Sequence, residues 1–227
     1  MNDKIVGIHQ PNFLPWIGYF YKIAKSDVFV LLDNVQYAKN SFINRNKIKT
    51  SQGAAWLTVP VSFKFGQLIN KVKINNETNW REKHLKTLEM NYKKAKFFEV
   101  VFNKIEQIYY SRDWGNLRNF NIELIKFAIL YLRLNRKLVK ASDLGVQGKG
   151  TELLIQITKK VNGDTYLSGF GGAKYQDEQL FVQEGIELKY YNFHHPKYDQ
   201  CWKDFIPNLS IIDLFFNVGP ESIKLLE

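Results

Sequence analysis

Residues 4–33 read KIVGIHQPNFLPWIGYFYKIAKSDVFVLLD, and their pattern of apolar residues indicates the fold class. Residues 4–8 form a short apolar run that is typical of a buried parallel strand. Residues 15–26 carry apolar side chains at helical spacing, and residues 27–33 are again rich in strand-forming side chains. A strand, a helix and a second strand in this order predict a βαβ unit, and therefore an α/β protein.

The remaining chain continues this alternation around a helical middle. Residues 56–62 and 69–74 are predicted strands, and residues 79–95, 97–111 and 116–134 have helical periodicity. Beyond them, predicted strands (136–145, 164–169 and 186–193) alternate with predicted helices (148–163 and 175–185). Thr151 is a candidate N-cap, and Gly163 a candidate helix stop. We expect one domain, residues 1–227, with a doubly wound, mostly parallel sheet and a helical insertion or subdomain around residues 79–135.

Composition favours a globular protein of a reducing compartment. Hydrophobic residues make up 45% of the chain, and the only cysteine, Cys201, has no partner for an internal disulfide. The most apolar stretch, residues 122–134, contains charged side chains and is too short to span a bilayer. The sequence therefore predicts a cytoplasmic protein without membrane insertion.

The net charge of +10 favours anionic partners, although it also fits a solvated lysine-rich surface. The basic residues are spread along the chain, and no nucleic-acid-binding motif is present. We therefore expect a phosphorylated or nucleotide-linked small molecule as the partner, and not a nucleic acid.

Polar and rigid residues follow the first strand directly. His9, Gln10 and Asn12 offer hydrogen bonds, while Pro11 and Pro15 stiffen the loop. Ligands of doubly wound sheets bind beyond the carboxyl ends of strands, and the N-terminus of a following helix attracts anions. We expect His9 to be catalytic and Gln10 and Asn12 to bind substrate. The alternative is a well-packed turn with a structural histidine.

A second polar cluster follows the second predicted strand. Lysine and arginine flanked by amides favour phosphate or carboxylate binding, because arginine can bind such groups in a bidentate manner. The alternative is a polar surface loop. We expect Lys39 and Arg45 to stabilise charge during catalysis. The predicted substrate-binding residues of this cluster are Asp33, Gln36, Asn44 and Asn46.

A glycine-rich turn, YLSGFGGAKY at residues 166–175, follows a third predicted strand. Glycines allow close approach of the backbone to a ligand, although such a turn is also common for structural reasons. The spacing matches neither a dinucleotide-binding fingerprint nor a phosphate-binding P-loop. The predicted substrate-binding residues here are Ser168, Gly169, Gly171, Gly172 and Tyr175.

Two isolated polar residues complete the prediction. His84 lies on an amphipathic helix and is the first candidate for a general base, with a helix-surface histidine as the alternative. Asp213 lies in an apolar helix, so it either pairs with a base such as Arg45 or lines the site. The spacing of His194, His195 and Cys201 fits no standard zinc pattern, so no metal is expected.

Several blocks resemble the WbqC-like protein family. They are IHQPNFLPWIGYFYKIAKSDVFVLLDNVQYAKNSFINRNKIK, WLTVPV, KHLKTLE, YLSGFGGAKY and FIPNLSIIDLFFNVGPES. They run in family order from Ile8 to Ser222, so the resemblance covers nearly the whole chain. Family members are associated with bacterial surface-polysaccharide (O-antigen) biosynthesis, and the resemblance implies a role there.

The layout of the first βαβ unit is also similar to that of the nucleotidyltransferase superfamily marked by a His-x-Gly-His motif. That resemblance implies that His9 contacts nucleotide phosphates. The chain departs from the motif, because Asn12 and Phe13 stand where a second histidine would follow.

These observations lead to one expected function and one alternative. We expect a transferase or ligase of the acyl, aminoacyl or nucleotidyl type, for example one that attaches an acyl or aminoacyl group to a nucleotide-linked amino sugar. No cofactor is evident beyond a nucleotide or acyl-carrier co-substrate. The alternative is a non-catalytic protein of the same pathway that binds a phosphorylated metabolite or acts as a scaffold.

Overall fold

The computed structural model describes residues 3–202 and 204–226. The strands in this part of the chain are β1 (Ile5–His9), β2 (Val28–Leu31), β3 (Arg45–Thr50), β4 (Gly53–Thr58), β5 (Val61–Ser62), β6 (Lys73–Ile74), β7 (Lys137–Lys140), β8 (Thr165–Gly169) and β9 (Glu187–Tyr191). The helices are α1 (Ile17–Ala24), α2 (Trp80–Tyr92), α3 (Phe98–Tyr110), α4 (Leu117–Tyr131), α5 (Gly150–Lys160), α6 (Glu178–Gln183) and α7 (Ile211–Val218).

Five of these strands form a parallel sheet in the order β7-β2-β1-β8-β9. From β1 the chain first builds outward through β2 and β7, and then returns to build β8 and β9 on the other side of β1. The strand order therefore reverses between β1 and β8. The predicted α/β fold with a parallel sheet is confirmed.

Both faces of this sheet are covered, as its apolar strands require. Along β2, Val28 and Val30 belong to one hydrophobic cluster, whereas Phe29 and Leu31 belong to another. The first cluster includes side chains of α5 and α6, and the second includes side chains of α1, α4 and α7. This alternation across the sheet is the doubly wound arrangement that the sequence predicts.

The predicted helical middle corresponds to α2, α3 and α4, which follow one another between β6 and β7. Their buried residues, such as Leu88, Val101 and Leu124, join the same hydrophobic cluster as α1 and α7. The single-domain organisation stays a prediction. Among the described residues, no helix has the length and apolar character needed to cross a membrane.

Two small antiparallel sheets differ from the predicted strands. Residues 45–50, predicted as part of a polar loop, form β3, which pairs with β4. Residues 69–74 begin with a 3₁₀ turn, Ile69–Lys71, and only Lys73–Ile74 form a strand, β6, which pairs with β5. The prediction missed β3 because most of its side chains are polar, including the buried Asn46 and Lys49.

The predicted ends of α5 also need correction. The N-cap position is Lys149, not Thr151, whose hydroxyl instead accepts a hydrogen bond of 3.0 Å from the main-chain N–H of Asp177. Past the other end, Asn162 adopts the left-handed conformation with φ 56°, and Gly163 only follows it. Asparagine tolerates this conformation better than most residues do.

Candidate functional site

The central sheet splits at its carboxyl end between β1 and β8. Pairing between these two strands ends at Gly7 and Leu167. By contrast, β1 stays paired with β2 as far as His9, and β8 stays paired with β9 as far as Gly169. The strand order reverses at the same place, where doubly wound sheets bind their ligands. This opening, called the switch-point split below, is the candidate site.

Lys22 on α1 lies at the base of the switch-point split. Its side chain is 3% exposed, and Nζ donates a hydrogen bond of 2.7 Å to the carbonyl oxygen of Ile8. Nζ also lies 5.4 Å from the centre of the Tyr166 ring on β8. No carboxylate of residues 3–202 or 204–226 forms an ion pair with Lys22. Burial lowers the pKa of this amine to about 7.

His9 ends β1 at the edge of the split. Its Nδ1 lies 3.1 Å from the carbonyl oxygen of Gln10, and its ring contacts Tyr19 edge to face at 4.9 Å. The carbonyl accepts a hydrogen bond only if Nδ1 carries the proton, which leaves Nε2 as an acceptor. Burial, aided by the charge of Lys22, lowers the pKa of His9 to about 4. The imidazole is therefore neutral at pH 7, and part of its surface still reaches solvent.

Buried amides hold the loop after His9 in place. The Asn46 Nδ2 group donates to the carbonyl of Leu14 at 2.7 Å. The Asn121 Nδ2 group donates to the carbonyls of Pro11 at 2.8 Å and Ile43 at 2.7 Å. Because Leu14 adopts a left-handed conformation with φ 39°, these contacts also stabilise a strained turn. Asn46, predicted to bind substrate, is part of this scaffold.

The N-terminus of α1 is covered, so it is not the anion site that the sequence suggests. Trp16 pairs with Ser210 in a β-bridge, and the N–H of Ile211 donates to the carbonyl of Pro15 at 2.8 Å. The Trp16 ring also lies over Gly18, where an added Cβ would be 2.2 Å from it. Anion binding at the split therefore depends on side chains.

The side chains of Gln10 and Asn12 are polar groups of this loop that form no hydrogen bond with the described residues. Asn12 is 7% exposed. Gln10, which precedes it by two positions, is partly buried, and its carbonyl accepts a hydrogen bond of 3.1 Å from the Tyr19 hydroxyl. The polar atoms of Asn12 are not fully buried, so a ligand or water can pair with them.

The glycine-rich turn after β8 forms the other side of the split. Ser168 is 1% exposed, and its hydroxyl accepts a hydrogen bond of 3.0 Å from Gln176 Nε2. The same nitrogen lies 3.3 Å from the hydroxyl of Tyr166, the residue beneath Lys22. Gln176 Oε1 is buried without a partner among the described residues. The sequence reasoning missed Gln176, which lies one position beyond the predicted segment.

The predicted glycines of this turn differ in their surroundings. A Cβ on Gly172 would lie 2.6 Å from the Ser168 hydroxyl and 2.7 Å from Gln176, whereas one on Gly171 would meet nothing within 4 Å. A Cβ on Gly169 would lie 3.1 Å from the hydroxyl of Tyr191. Tyr175 is 83% exposed. Gly172 is therefore the position where a side chain would displace the polar groups of the split.

The cluster after β2 is not one site. Asp33 is fully buried, and Arg118 NH1 donates to its Oδ2 at 2.8 Å. Ser142 completes the pairing, with its N–H 2.9 Å from Oδ1 and its hydroxyl 2.8 Å from Oδ2. Asp33 thus joins the ends of β2 and β7 to α4. Its carboxylate oxygens are engaged within the protein, which leaves little capacity for a sugar hydroxyl.

The other predicted residues of this cluster are exposed or structural. Gln36 and Lys39 are exposed. Arg45 does not pair with Asp213, because its guanidinium lies over the Trp56 ring at 4.2 Å. Asn44 is buried and donates to the carbonyl of Val59 at 3.1 Å.

His84 and Asp213 lie in the protein interior. His84 is 6% exposed, with Nδ1 3.2 Å from the Tyr109 hydroxyl and Nε2 2.8 Å from the carbonyl of Thr58. Both ring nitrogens have partners inside the protein, whereas a general base needs a free nitrogen that faces a cleft. Asp213 accepts hydrogen bonds of 2.8 Å from Tyr92 and Tyr198, and burial raises the pKa of its carboxyl.

A groove of about 610 Å³ lies elsewhere, between α4 and the ends of β2 and β7. Its charged side chains neutralise each other in part, as Lys140 pairs with Asp143 at 3.0 Å. We assign the site to the switch-point split because His9, Lys22 and the unpartnered amide oxygen of Gln176 lie at the ends of β1 and β8. Among residues 3–202 and 204–226, no group of three or more His, Cys, Asp or Glu side chains could hold a metal ion.

These features define a doubly wound α/β protein with a basic, polar opening at its switch point. The chain belongs to the WbqC-like protein family, which matches residues 10–225. It is also 36% identical over 222 residues to a Mycobacterium tuberculosis protein described as "Uncharacterized protein Rv1507c", and the match covers 96% of each chain. The resemblance to the WbqC-like family that the sequence indicates is confirmed. Neither description names a reaction, so the reaction must be argued from the site.

Proposed function

We propose that the protein is a cytoplasmic group-transfer enzyme of bacterial surface-polysaccharide assembly, with a nucleotide-linked sugar as its substrate. The observation that carries this proposal is the position of Lys22 beside a neutral His9 at the switch-point split. An amine that can carry charge favours an anionic group, and a neutral imidazole next to it favours proton transfer. The family's association with surface polysaccharides suggests the pathway.

Lys22 is the proposed contact for the diphosphate of the substrate. An ammonium group has three N–H donors, and one of them is used by the carbonyl of Ile8. The remaining donors are available to phosphate oxygens. Because an adjacent anion favours the charged form of lysine, binding should raise the pKa of Lys22 from about 7 and draw a proton from solvent.

His9 is the proposed general base. In the aminoacyl or acyl version of the reaction, the amine of the sugar attacks the carbonyl carbon of an activated acyl group. A C–N bond forms, the bond to the leaving group breaks, and the leaving group departs with the electron pair. Nε2 of His9 accepts the proton that the amine loses. Gln176 supplies an unpaired amide oxygen, and Asn12 supplies an amide that bonds to no described residue, to orient the sugar hydroxyls.

Thermal unfolding in the presence of ligands tests the binding step. Nucleoside diphosphates and nucleotide-linked sugars should stabilise the protein, by about 2.7 kcal/mol at one hundred times the dissociation constant. The substitution Lys22→Met should remove this effect, whereas Lys25→Met, at an exposed position just after α1, should keep it. Absence of stabilisation by every member of the panel would count against a nucleotide-linked substrate.

Mass spectrometry of the stabilising nucleotide sugar tests turnover. After incubation with activated acyl donors, the wild-type protein should yield a product heavier by the transferred group. The substitution His9→Gln should preserve ligand stabilisation but abolish the product. Ligand binding by the wild type without any product would instead support the non-catalytic binding protein, because that function needs Lys22 alone.

A further inference from the structure

Residues 34–76 contain no aspartate or glutamate. The same residues include seven of the basic side chains, namely Lys39, Arg45, Lys47, Lys49, Lys64, Lys71 and Lys73. The segment therefore carries a formal charge of +7, whereas the whole chain carries +10. Most of the excess positive charge of the protein is thus concentrated in this part of the chain, which we call the acid-free segment.

The acid-free segment folds into the two small antiparallel sheets, β3–β4 and β5–β6, which lie outside the central sheet. Tyr37 joins them. Its N–H donates to the carbonyl of Gln67 at 2.8 Å, and its ring contacts Phe63 at 4.7 Å. Gln36 also forms a β-bridge with Leu68. The chain just before β3 is therefore fixed to the region of β5 and β6.

Large apolar side chains protrude from this segment. Phe65 is 98% exposed at the turn between β5 and β6, and Leu68 is 39% exposed nearby. Phe42, in the loop before β3, is 49% exposed, and Trp56 on β4 is 44% exposed, with their rings 5.8 Å apart. Single exposed apolar residues are ordinary, but four of this size within one basic segment indicate a contact surface.

The exposed positive charges of the segment form no ion pair with the described residues. Among the described residues, every ion pair lies outside residues 34–76. The exposed basic residues of the segment are Lys39, Lys47, Lys64, Lys71 and Lys73. Lys49 alone is buried, with Nζ bonded to Gln200 and to the carbonyl of Asp204. An anionic surface would provide the negative charges that these exposed lysines lack within the described part of the protein.

We propose that the acid-free segment docks the protein onto an anionic lipid bilayer, with its apolar side chains in the interface and its lysines at the headgroups. Aromatic and leucine side chains among lysines are the composition of interfacial binding, which differs from membrane spanning. The surface is less suited to nucleic acid. Arg45 lies over the Trp56 ring at 4.2 Å, so the face that a base would stack on is already covered.

This surface is attached to the loop of the candidate site. The N–H of Phe13, in the loop after His9, donates to the carbonyl of Phe42 at 2.9 Å. Asn121 also bonds to both loops, at the carbonyls of Pro11 and Ile43. Docking would therefore hold the switch-point split near the membrane surface. The proposal concerns a separate surface and stands whether or not the split transfers a group.

Co-sedimentation with vesicles tests the proposal. The full-length protein should bind vesicles of phosphatidylcholine mixed equally with phosphatidylglycerol, and it should not bind vesicles of phosphatidylcholine alone. The double substitution Lys64→Glu/Lys71→Glu should weaken the partition coefficient by at least about fivefold for each lysine removed. Phe65→Ser should weaken it by about tenfold, because an aromatic side chain no longer enters the interface.

Matched control variants distinguish binding through this surface from nonspecific binding to vesicles. Leu130→Ser removes another exposed apolar side chain, on α4, that is 76% exposed, and Lys104→Glu reverses an exposed lysine on α3. Neither should change vesicle binding. Since Phe65 is almost fully exposed, Phe65→Ser should leave the unfolding temperature unchanged, so lost binding cannot be ascribed to lost folding.

Four results would overturn the proposal. The first is no binding to anionic vesicles, and the second is an equal loss of binding in the control variants. The third is a dimer in size-exclusion chromatography that Phe65→Ser dissociates, which would assign the surface to a second copy of the chain. Tight binding to RNA without vesicle binding would assign it to nucleic acid and likewise overturn the proposal.

Discussion

Lys22 on α1 donates a hydrogen bond of 2.7 Å to the main-chain carbonyl of Ile8 on β1. In a continuous sheet that carbonyl would be available to the neighbouring strand, but the pairing of β1 with β8 has ended one residue earlier, at Gly7. The ammonium group therefore takes the place of a sheet hydrogen bond at the point where the sheet opens. A charged group in this position costs stability, and its presence at a switch point is the reason to assign it a function.

Lys22 should make the stability of the protein depend on pH. Its pKa is about 7 in the folded protein, whereas an unburied lysine has a pKa of 10.5. Between pH 7 and pH 10.5 the unfolded chain therefore binds more protons than the folded protein does. The free energy of unfolding should therefore rise with pH, by up to about 1.4 kcal/mol per unit between pH 7 and 9. The substitution Lys22→Met should abolish this slope. Urea unfolding at several pH values measures it.

The exposed Lys25, which follows the same helix, provides the control for this prediction. Lys25→Met should retain the wild-type slope between pH 7 and 9. An unchanged slope in Lys22→Met would show that this lysine is not the group that titrates.

The sequence predicts the βαβ unit because its apolar spacing is local information. It also places His9 and Ser168 at one edge of the sheet, since parallel strands share their carboxyl edge. Lys22 could not be predicted in this way. A lysine in a helix is normally exposed, and only the packing of α1 against Tyr166, far along the chain, reveals its burial.

The amide-rich loops show the opposite error. Asn44 and Asn46 read as ligand-binding residues because asparagine is usually exposed. In the structure they donate to the carbonyls of Val59 and Leu14, which belong to other parts of the chain. A buried irregular loop needs such partners for its carbonyl groups, and their identity depends on tertiary contacts. The need of the loop after His9 for hydrogen-bond donors is the feature that indicates a structural role for such asparagines.

If the switch-point split is the functional site, a side chain at Gly172 should weaken ligand binding or activity. Gly172→Ala would place Cβ 2.6 Å from the Ser168 hydroxyl and 2.7 Å from Gln176, which forces these groups apart. We expect ligand affinity or activity to fall at least tenfold, with a loss of about 1–3 kcal/mol in stability. Gly171→Ala is the matched control, because nothing lies within 4 Å of its added Cβ. Equal ligand binding by both variants would place the site elsewhere.

His84 should contribute to acid sensitivity and not to chemistry. Burial lowers its pKa to about 4 in the folded protein, against 6.5 for an unburied histidine. The unfolded chain therefore binds more protons between these values, and stability falls as the pH drops through this window, by up to about 3 kcal/mol. His84→Gln cannot titrate, so its stability should fall less between pH 6.5 and 4.

Urea unfolding at pH 7 and 5 measures this difference. The variant should be less stable at pH 7 by about 1–3 kcal/mol, through the loss of a buried hydrogen bond, and the gap should narrow at pH 5. The exposed His194 is the control, and His194→Gln should behave as the wild type. A His84→Gln protein that is stable at pH 7 but inactive would restore His84 as a candidate base.

Asp33 should stabilise the fold by connecting β2, β7 and α4 through its hydrogen bonds. Its carboxylate is fully buried and bonded to Arg118 and Ser142, so Asp33→Ala leaves a largely buried guanidinium unpaired. We expect a loss of about 3–5 kcal/mol in urea unfolding at pH 7. Asp143→Ala, which breaks the exposed pair with Lys140, should cost at most about 1 kcal/mol. If Asp33→Ala kept its stability and lost ligand binding, Asp33 would belong to the substrate site after all.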